Sequence, residues 1–286
     1  MTIFNRRIVR RHRERAQPNF SEHDFLFREV AGRLLERLDD VTRRFPLALD
    51  LGARGDLINQ MVGNRGGIET LIRCAHPLPI NDSANGGGLV CADEEALPFA
   101  DKAFDLAISN LSLHWINDLP GTLSQLCRCL KPDGLMIATM FGGETLKELR
   151  NVLSEAEIAV EGGLSPRISP FADIRDAGGL LQRVGFSLPV VDTETITVSY
   201  GDPLTLLKDL RGMGETNAVL ERRLSFSRRE TLMRAMELYL EQFGDSDGRI
   251  PATFQVLYLS GWSPDPSQQQ PMKPGSGQRS LTDEFS

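Results

Sequence analysis

The chain has 286 residues, with 41% hydrophobic and 25% charged side chains, enough for one large α/β domain with a real core. Its formal charge of −7 excludes a general attraction to nucleic acid, which needs clustered cations. No window approaches the roughly 18 apolar residues that a spanning helix requires, so no membrane span is expected.

The first fifteen positions hold Arg6, Arg7, Arg10, Arg11, Arg13 and Arg15. Arg-rich, acid-poor starts mark transit peptides, but here serine is scarce and Glu14, Glu22 and Asp24 follow closely. A mature helix with a basic face is expected instead, either solvated or a dock for an acidic partner. From about Phe20 to Arg44, apolar residues at Phe27, Val30, Ala31, Leu34, Leu35 and Leu38 recur at helical spacing, so residues 1–45 read as an N-terminal helical segment. Pro46 ends it. The run Leu47-Ala48-Leu49-Asp50-Leu51, closed by Gly52, reads as a buried parallel strand. A short helix over 56–62 and a strand over 68–75 follow, the latter weakened by Arg73. Residues 76–88 read as a Pro-, Asn- and Gly-rich loop.

Strands are expected at 89–92, 104–109 and 135–140, with a helix at 119–130 and a turn at Lys131-Pro132-Asp133-Gly134. This alternation predicts an α/β fold with a doubly wound, mostly parallel sheet. Beyond it lie helices at 144–161, 171–184, 203–213 and 227–242. Strands at 188–198 and 253–259 suggest an antiparallel edge. Residues 46–262 are read as one domain, and the Pro-, Gln-, Ser- and Gly-rich residues 263–286 as a disordered tail. Cys74, Cys91, Cys127 and Cys129 lack zinc-ligand spacing, so no metal site is expected. With no secretory signal, these thiols point to a reducing compartment, taken as the cytoplasm.

Two segments carry candidate chemistry. Asp50-Leu51-Gly52-Ala53-Arg54-Gly55-Asp56 lies where a strand opens into a helix, the end of an α/β sheet where ligands bind. Glycine there admits close backbone approach, although an ordinary turn has the same look. Its spacing fails the G-x-G-x-x-G fingerprint, which disfavours a nicotinamide dehydrogenase. Asp93 and Glu94, just past a strand end, suit the exocyclic amine of adenine, with Leu97, Pro98 and Phe99 as support; an acidic helix start is the alternative. The pairing of the two segments predicts a nucleotide pocket. His114 is a candidate general base, with an ordinary pKa of about 6.5, or a packing residue. Arg167, between two prolines, either pairs a substrate carboxylate or is a surface charge. No Walker A, G-x-S-x-G or H-x-x-x-H pattern occurs.

Taken together these segments resemble the class I methyltransferases of the type 11 group. Within it they resemble the complex I assembly-factor branch, the arginine hydroxylases and their bacterial relatives. The residues that carry the resemblance include Ala92-Asp93-Glu94-Glu95, Asn110-Leu111-Ser112-Leu113-His114-Trp115 and Asn117-Asp118-Leu119-Pro120. Phe141-Gly142-Gly143-Glu144, Ser165-Pro166-Arg167-Ile168-Ser169-Pro170-Phe171 and Gly212-Met213-Gly214-Glu215 extend it. The resemblance implies a seven-stranded Rossmann-like sheet with a reversed last strand and bound S-adenosylmethionine. Carried onto this chain, Asp50, Gly52 and Gly55 flank the methionine end of that cofactor. Asp93 and Glu94 face its adenine, while Asn110 and Leu111 lie beside the transferred group. It further implies a protein substrate, a subunit of respiratory complex I, modified at arginine. The alternatives are O-methylation of a carrier-bound or small carboxylate, as in the biotin-synthesis relatives, and a non-catalytic assembly chaperone. Two departures favour the chaperone. Arg54 and Asp56 stand where the family has glycines, and the second strand ends in Arg73-Cys74-Ala75 without a ribose-binding carboxylate.

Overall fold

The computed structural model describes residues 2–76, 88–171 and 174–269. Helix α1 (Arg6–Ala16) is capped by Asn5, whose side chain accepts from the Ile8 amide. Pro18 stands near the start of a short 3-10 stretch before α2 (Phe25–Glu36), so the single helix expected from about Phe20 to Arg44 begins later and ends earlier. β1 (Leu47–Leu51), α3 (Leu57–Val62), β2 (Thr70–Ala75) and β3 (Leu89–Cys91) form the first half. Of the loop expected over 76–88, residues 77–87 lie outside the described residues. The second half runs β4 (Phe104–Ser109), α4 (Leu119–Cys129), β5 (Leu130–Phe141), α5 (Lys147–Glu161) and α6 (Ile174–Arg183). β6 (Ser187–Tyr200), α7 (Pro203–Gly212), α8 (Arg229–Phe243) and β7 (Ile250–Trp262) complete the chain.

One sheet carries all seven strands in the order β3-β2-β1-β4-β5-β7-β6. β1 pairs in parallel with both β2 and β4, so the chain order reverses beside β1 and opens a crevice at the strand ends. Alternation along β1 splits the core in two: Ala48 joins α2, α3, α5, α7 and α8 on one face, and Leu49 and Leu51 join α4 and α6 on the other. The expected turn at 131–134 appears as an irregularity early in β5, with Asp133 in the left-handed region at φ 59° and a register shift on β4 between Phe104 and Leu106.

The last strand is reversed, as expected, but it is not the edge. β7 runs antiparallel between β5 and β6. Composition explains the order. β7 buries Ala252, Phe254, Val256, Leu257, Tyr258 and Leu259, whereas β6 carries Asp192, Thr193, Glu194 and Thr195 and takes the margin of the sheet. Arg33 and Arg37 reach from α2 and its C-terminal end to Glu194 and Asp192 at 2.8 and 2.9 Å. Past β7, the Ser263 amide donates to the Gly134 carbonyl at 2.8 Å and Gln268 donates to Asp133 at 3.0 Å. Residues 270–286 of the expected tail lie outside the described residues.

Candidate functional site

At the C-terminal end of β1, Asp50 is 1% exposed and its Oδ2 has no hydrogen-bond partner. Burial pushes its carboxyl up to about 7, against the pull of neighbouring Arg73. Arg73, opposite Asp50 in the β1–β2 register, is buried and lies 3.2 Å from Asp56. Arg73 thus places a buried cation, not a carboxylate, beside Asp50 near the end of β2. Gly52 and Gly55 both lie in the left-handed region, at φ 74° and 64°. A Cβ at Gly52 would strike the Ser112 side chain and lie 3.4 Å from Glu94, whereas one at Gly55 meets open space. The turn after β1 and the acidic segment past β3 therefore do converge, with Ser112 between them.

That convergence is already filled by the protein itself. Arg6, Arg10 and Arg13 are spaced four and three apart, so they share one face of α1, and all three point at the acidic segment. Arg6 donates to Asp93 at 2.7 Å and also to Glu94; Arg10 pairs with the other Asp93 oxygen. Arg13 donates to Glu94 at 2.6 Å and to the Ser112 hydroxyl at 3.0 Å. Burial alone would raise the Glu94 carboxyl, but Arg13 and Arg6 outweigh it and hold it down to about 2. The basic face expected to be solvated or to meet an acidic partner thus docks on this chain's own acids. The N-terminal residues are fixed beside it. Asn117 accepts from the Ile3 and Phe4 amides at 2.8 and 2.7 Å, and the Phe4 ring meets Trp115 edge-on at 5.3 Å.

Asn110 and Leu111 follow β4 as expected, yet both face the interior. Asn110 donates to the Phe27 carbonyl at 2.9 Å and accepts from Thr139 at 3.0 Å; Leu111 is fully buried. His114 is buried too, its Nε2 2.9 Å from Glu215, and burial lowers its pKa despite that carboxylate. Glu215 is the residue that sequence reasoning missed as a site. It accepts from Trp115 Nε1 at 2.7 Å and from Arg54, and its carboxyl is held down to about 2: burial opposes the ionised form, but His114 and Arg54 outweigh it. Arg54, largely enclosed between Glu215 and the rings of Phe27 and Phe20 (5.1 and 5.7 Å), is pushed down to about 10 by desolvation and stays charged at neutral pH.

A cavity of about 130 Å³ lies on the far side of Trp115, walled by Trp115, Phe141, Phe171, Leu149, Phe254 and Glu215. Arg167 lines it as well, but its guanidinium is held by Glu157 at 2.7 Å and Ser227 at 2.6 Å. His114 stands behind this wall, its ring 4.7 Å from that of Phe141.

Strand order, reversed last strand and the turn after β1 define a Rossmann-like methyltransferase fold, and a family profile described as Methyltransferase domain matches residues 50–138. The YcgJ protein of Bacillus subtilis shares this fold, with a TM-score of 0.55 at 12% identity, covering 82% of this chain and 99% of that one. The mitochondrial arginine-hydroxylase NDUFAF5 of Danio rerio is 43% identical over 99% of this chain and 89% of its own length. A malonyl-[acyl-carrier protein] O-methyltransferase of Halorhodospira halophila is 35% identical over 90% and 88%. This chain belongs to the methyltransferase family that contains both. The expectation of a cytoplasmic protein is overturned by the first of these relatives, which is named as mitochondrial. Four free thiols do not separate cytosol from organelle. Among the described residues no helix is long and apolar enough to cross a membrane.

Proposed function

We propose that this chain modifies an arginine side chain on a subunit of respiratory complex I during assembly, as an S-adenosylmethionine-binding enzyme. The observation that carries the arginine reading is Glu215. It is an ionised carboxylate at the wall of an aromatic cavity, and it already holds the guanidinium of Arg54 beside two phenyl rings. Such a site favours a cation over a carboxylate. The relatives that O-methylate a malonyl carrier act on a carboxylate, which needs a cation to meet it. The nearest candidate, Arg167, is committed to Glu157 and Ser227.

The fit of the cofactor is divided. Asp50, with a buried unpaired oxygen, and the left-handed Gly52 and Gly55 suit the methionine end. At the adenine end Asp93 and Glu94 are of the right type, but their oxygens are engaged by α1. When bound, S-adenosylmethionine supplies an electrophilic methyl group on a sulfonium. This chain's own part is orientation and exclusion of water. A substrate guanidinium would have to share Glu215 with Arg54, while Trp115 and His114 fix Glu215 and Phe141 and Phe171 wall the cavity. In this arrangement His114 positions Glu215, and Arg167 tethers the loop that holds Phe171.

The test is mass spectrometry of complex I subunits incubated with the protein and S-adenosylmethionine. The expected result is an arginine that gains one methyl group with S-adenosylmethionine alone, or one oxygen atom only when dioxygen and a two-electron donor are also supplied, in either case lost with Glu215→Gln. An unmodified subunit, alongside methylation of a malonyl-carrier substrate, would reverse the assignment in favour of the carboxylate reading.

A further inference from the structure

We propose that α1 is a displaceable plug, whose Arg6, Arg10 and Arg13 occupy Asp93 and Glu94 in place of a nucleoside and withdraw when one binds. This rests on the reading of Asp93 and Glu94 as the nucleotide end of the site. All four carboxylate oxygens are in use. Asp93 Oδ1 takes Arg6 and the Glu95 amide, Asp93 Oδ2 takes Arg10, Glu94 Oε2 takes Arg6, and Glu94 Oε1 takes Arg13 and Ser112. A ligand amine or hydroxyl that needs these oxygens must compete with guanidinium groups for them. Arg13 also bonds Ser112, the side chain against which Gly52 packs, so its guanidinium lies where the turn and the acidic segment meet.

A second observation points to a ligand rather than to permanent closure. The buried Asp50 Oδ2 beside this convergence makes no hydrogen bond, with Arg73 as its neighbouring charge, and a donor group would satisfy it. Geometry also supplies a pivot. The chain ahead of α1 is pinned at Asn117 and by the Asn5 amide to the Ala218 carbonyl, and the helix leads into a 3-10 stretch broken by a non-helical Asn19. Between those points the helix is held over the site by its three arginines, by Val9, which packs with Phe4 and Trp115, and by His12 and Arg15, which bond Thr216 at 3.1 and 3.3 Å. A ligand that binds only the open form then has its apparent affinity scaled down to its intrinsic value times the open fraction.

The experiment is calorimetric titration of S-adenosylhomocysteine into the full chain and into the Arg6→Gln/Arg10→Gln/Arg13→Gln variant, with hydrogen exchange followed over residues 6–16. The plug requires the variant to bind at least about tenfold more tightly, and ligand to accelerate α1 exchange in the unmodified chain. Weaker binding by the variant, or α1 amides that become protected with ligand, overturns the plug and leaves the nucleotide site standing, with the arginines as ligand contacts. Absence of binding to both proteins at millimolar ligand, each shown folded by circular dichroism, overturns the nucleotide reading and the plug with it. Arg10→Gln alone breaks the most exposed of the pairs and tests the same ordering, with a smaller gain, should the triple variant not fold.

Discussion

Glu94 shows how one side chain is made dependent on its neighbours. It is 1% exposed, and its charged form survives only because Arg13 and Arg6 offset the loss of water. Its folded carboxyl, held at about 2 against an ordinary 4.5, binds its proton less readily than in the unfolded chain. The stability it contributes is therefore complete above pH 4.5 and lost as pH falls toward 2. Chemical denaturation across that window should show a falling unfolding free energy, by up to about 3 kcal/mol from this residue. Glu94→Gln should start less stable and fall less steeply. A variant whose profile parallels the unmodified chain would show that the pairing contributes nothing. Its place as an acidic residue just past a strand was legible in the sequence. Its present partners were not, because Arg13 lies 81 residues away in sequence and no local pattern links them.

At the scale of elements, α1 carries its own signal. Arginines at intervals of four and three mark a basic face, and the acidic run after β3 marks a counterpart, but only the fold brings the two together. Glu215 was harder still. It lies beyond the end of α7, outside any periodic pattern, and its importance comes from Arg54, His114 and Trp115 meeting it from the other side of the crevice. Arg54, read as an obstacle beside the glycines, turns out to be the partner of that carboxylate. The pin that holds the start of α1 is Asn117, which receives two backbone amides. Asn117→Ala should cost roughly 1–3 kcal/mol through the partly buried amides left unmet, and should raise hydrogen exchange across residues 3–9 above that of the rest of the fold. Unchanged exchange there would mean that α1 is held by its arginines, Val9 and His12 without need of Asn117.

At the scale of the whole molecule, the parallel half was the more legible, because its strands are short apolar runs bounded by glycine and proline. The C-terminal half was readable as elements but not as an order. Nothing local shows that β7 inserts between β5 and β6, a placement set by its greater burial. One consequence is that, among the described residues, β6 joins the sheet only through β7. A chain ended at Gly248 should therefore lose the cooperative unfolding transition, rather than merely a margin of the sheet, as read by thermal melting of near-ultraviolet circular dichroism. A sharp transition in that truncated chain would show that β1–β5 with their helices stand alone.

The same insertion gives β6 a second role. Its outer backbone runs for 14 residues along the sheet margin and is long enough to template another chain. Pro189, within the register shift between Ser187 and Val190, has no amide to donate, and Asp192 and Glu194, each tied to an arginine of the α2 region, set charge along the strand. Resistance to fibril-like self-association thus resides in a stretch far from the chemistry, and selection for solubility can act there without touching the crevice.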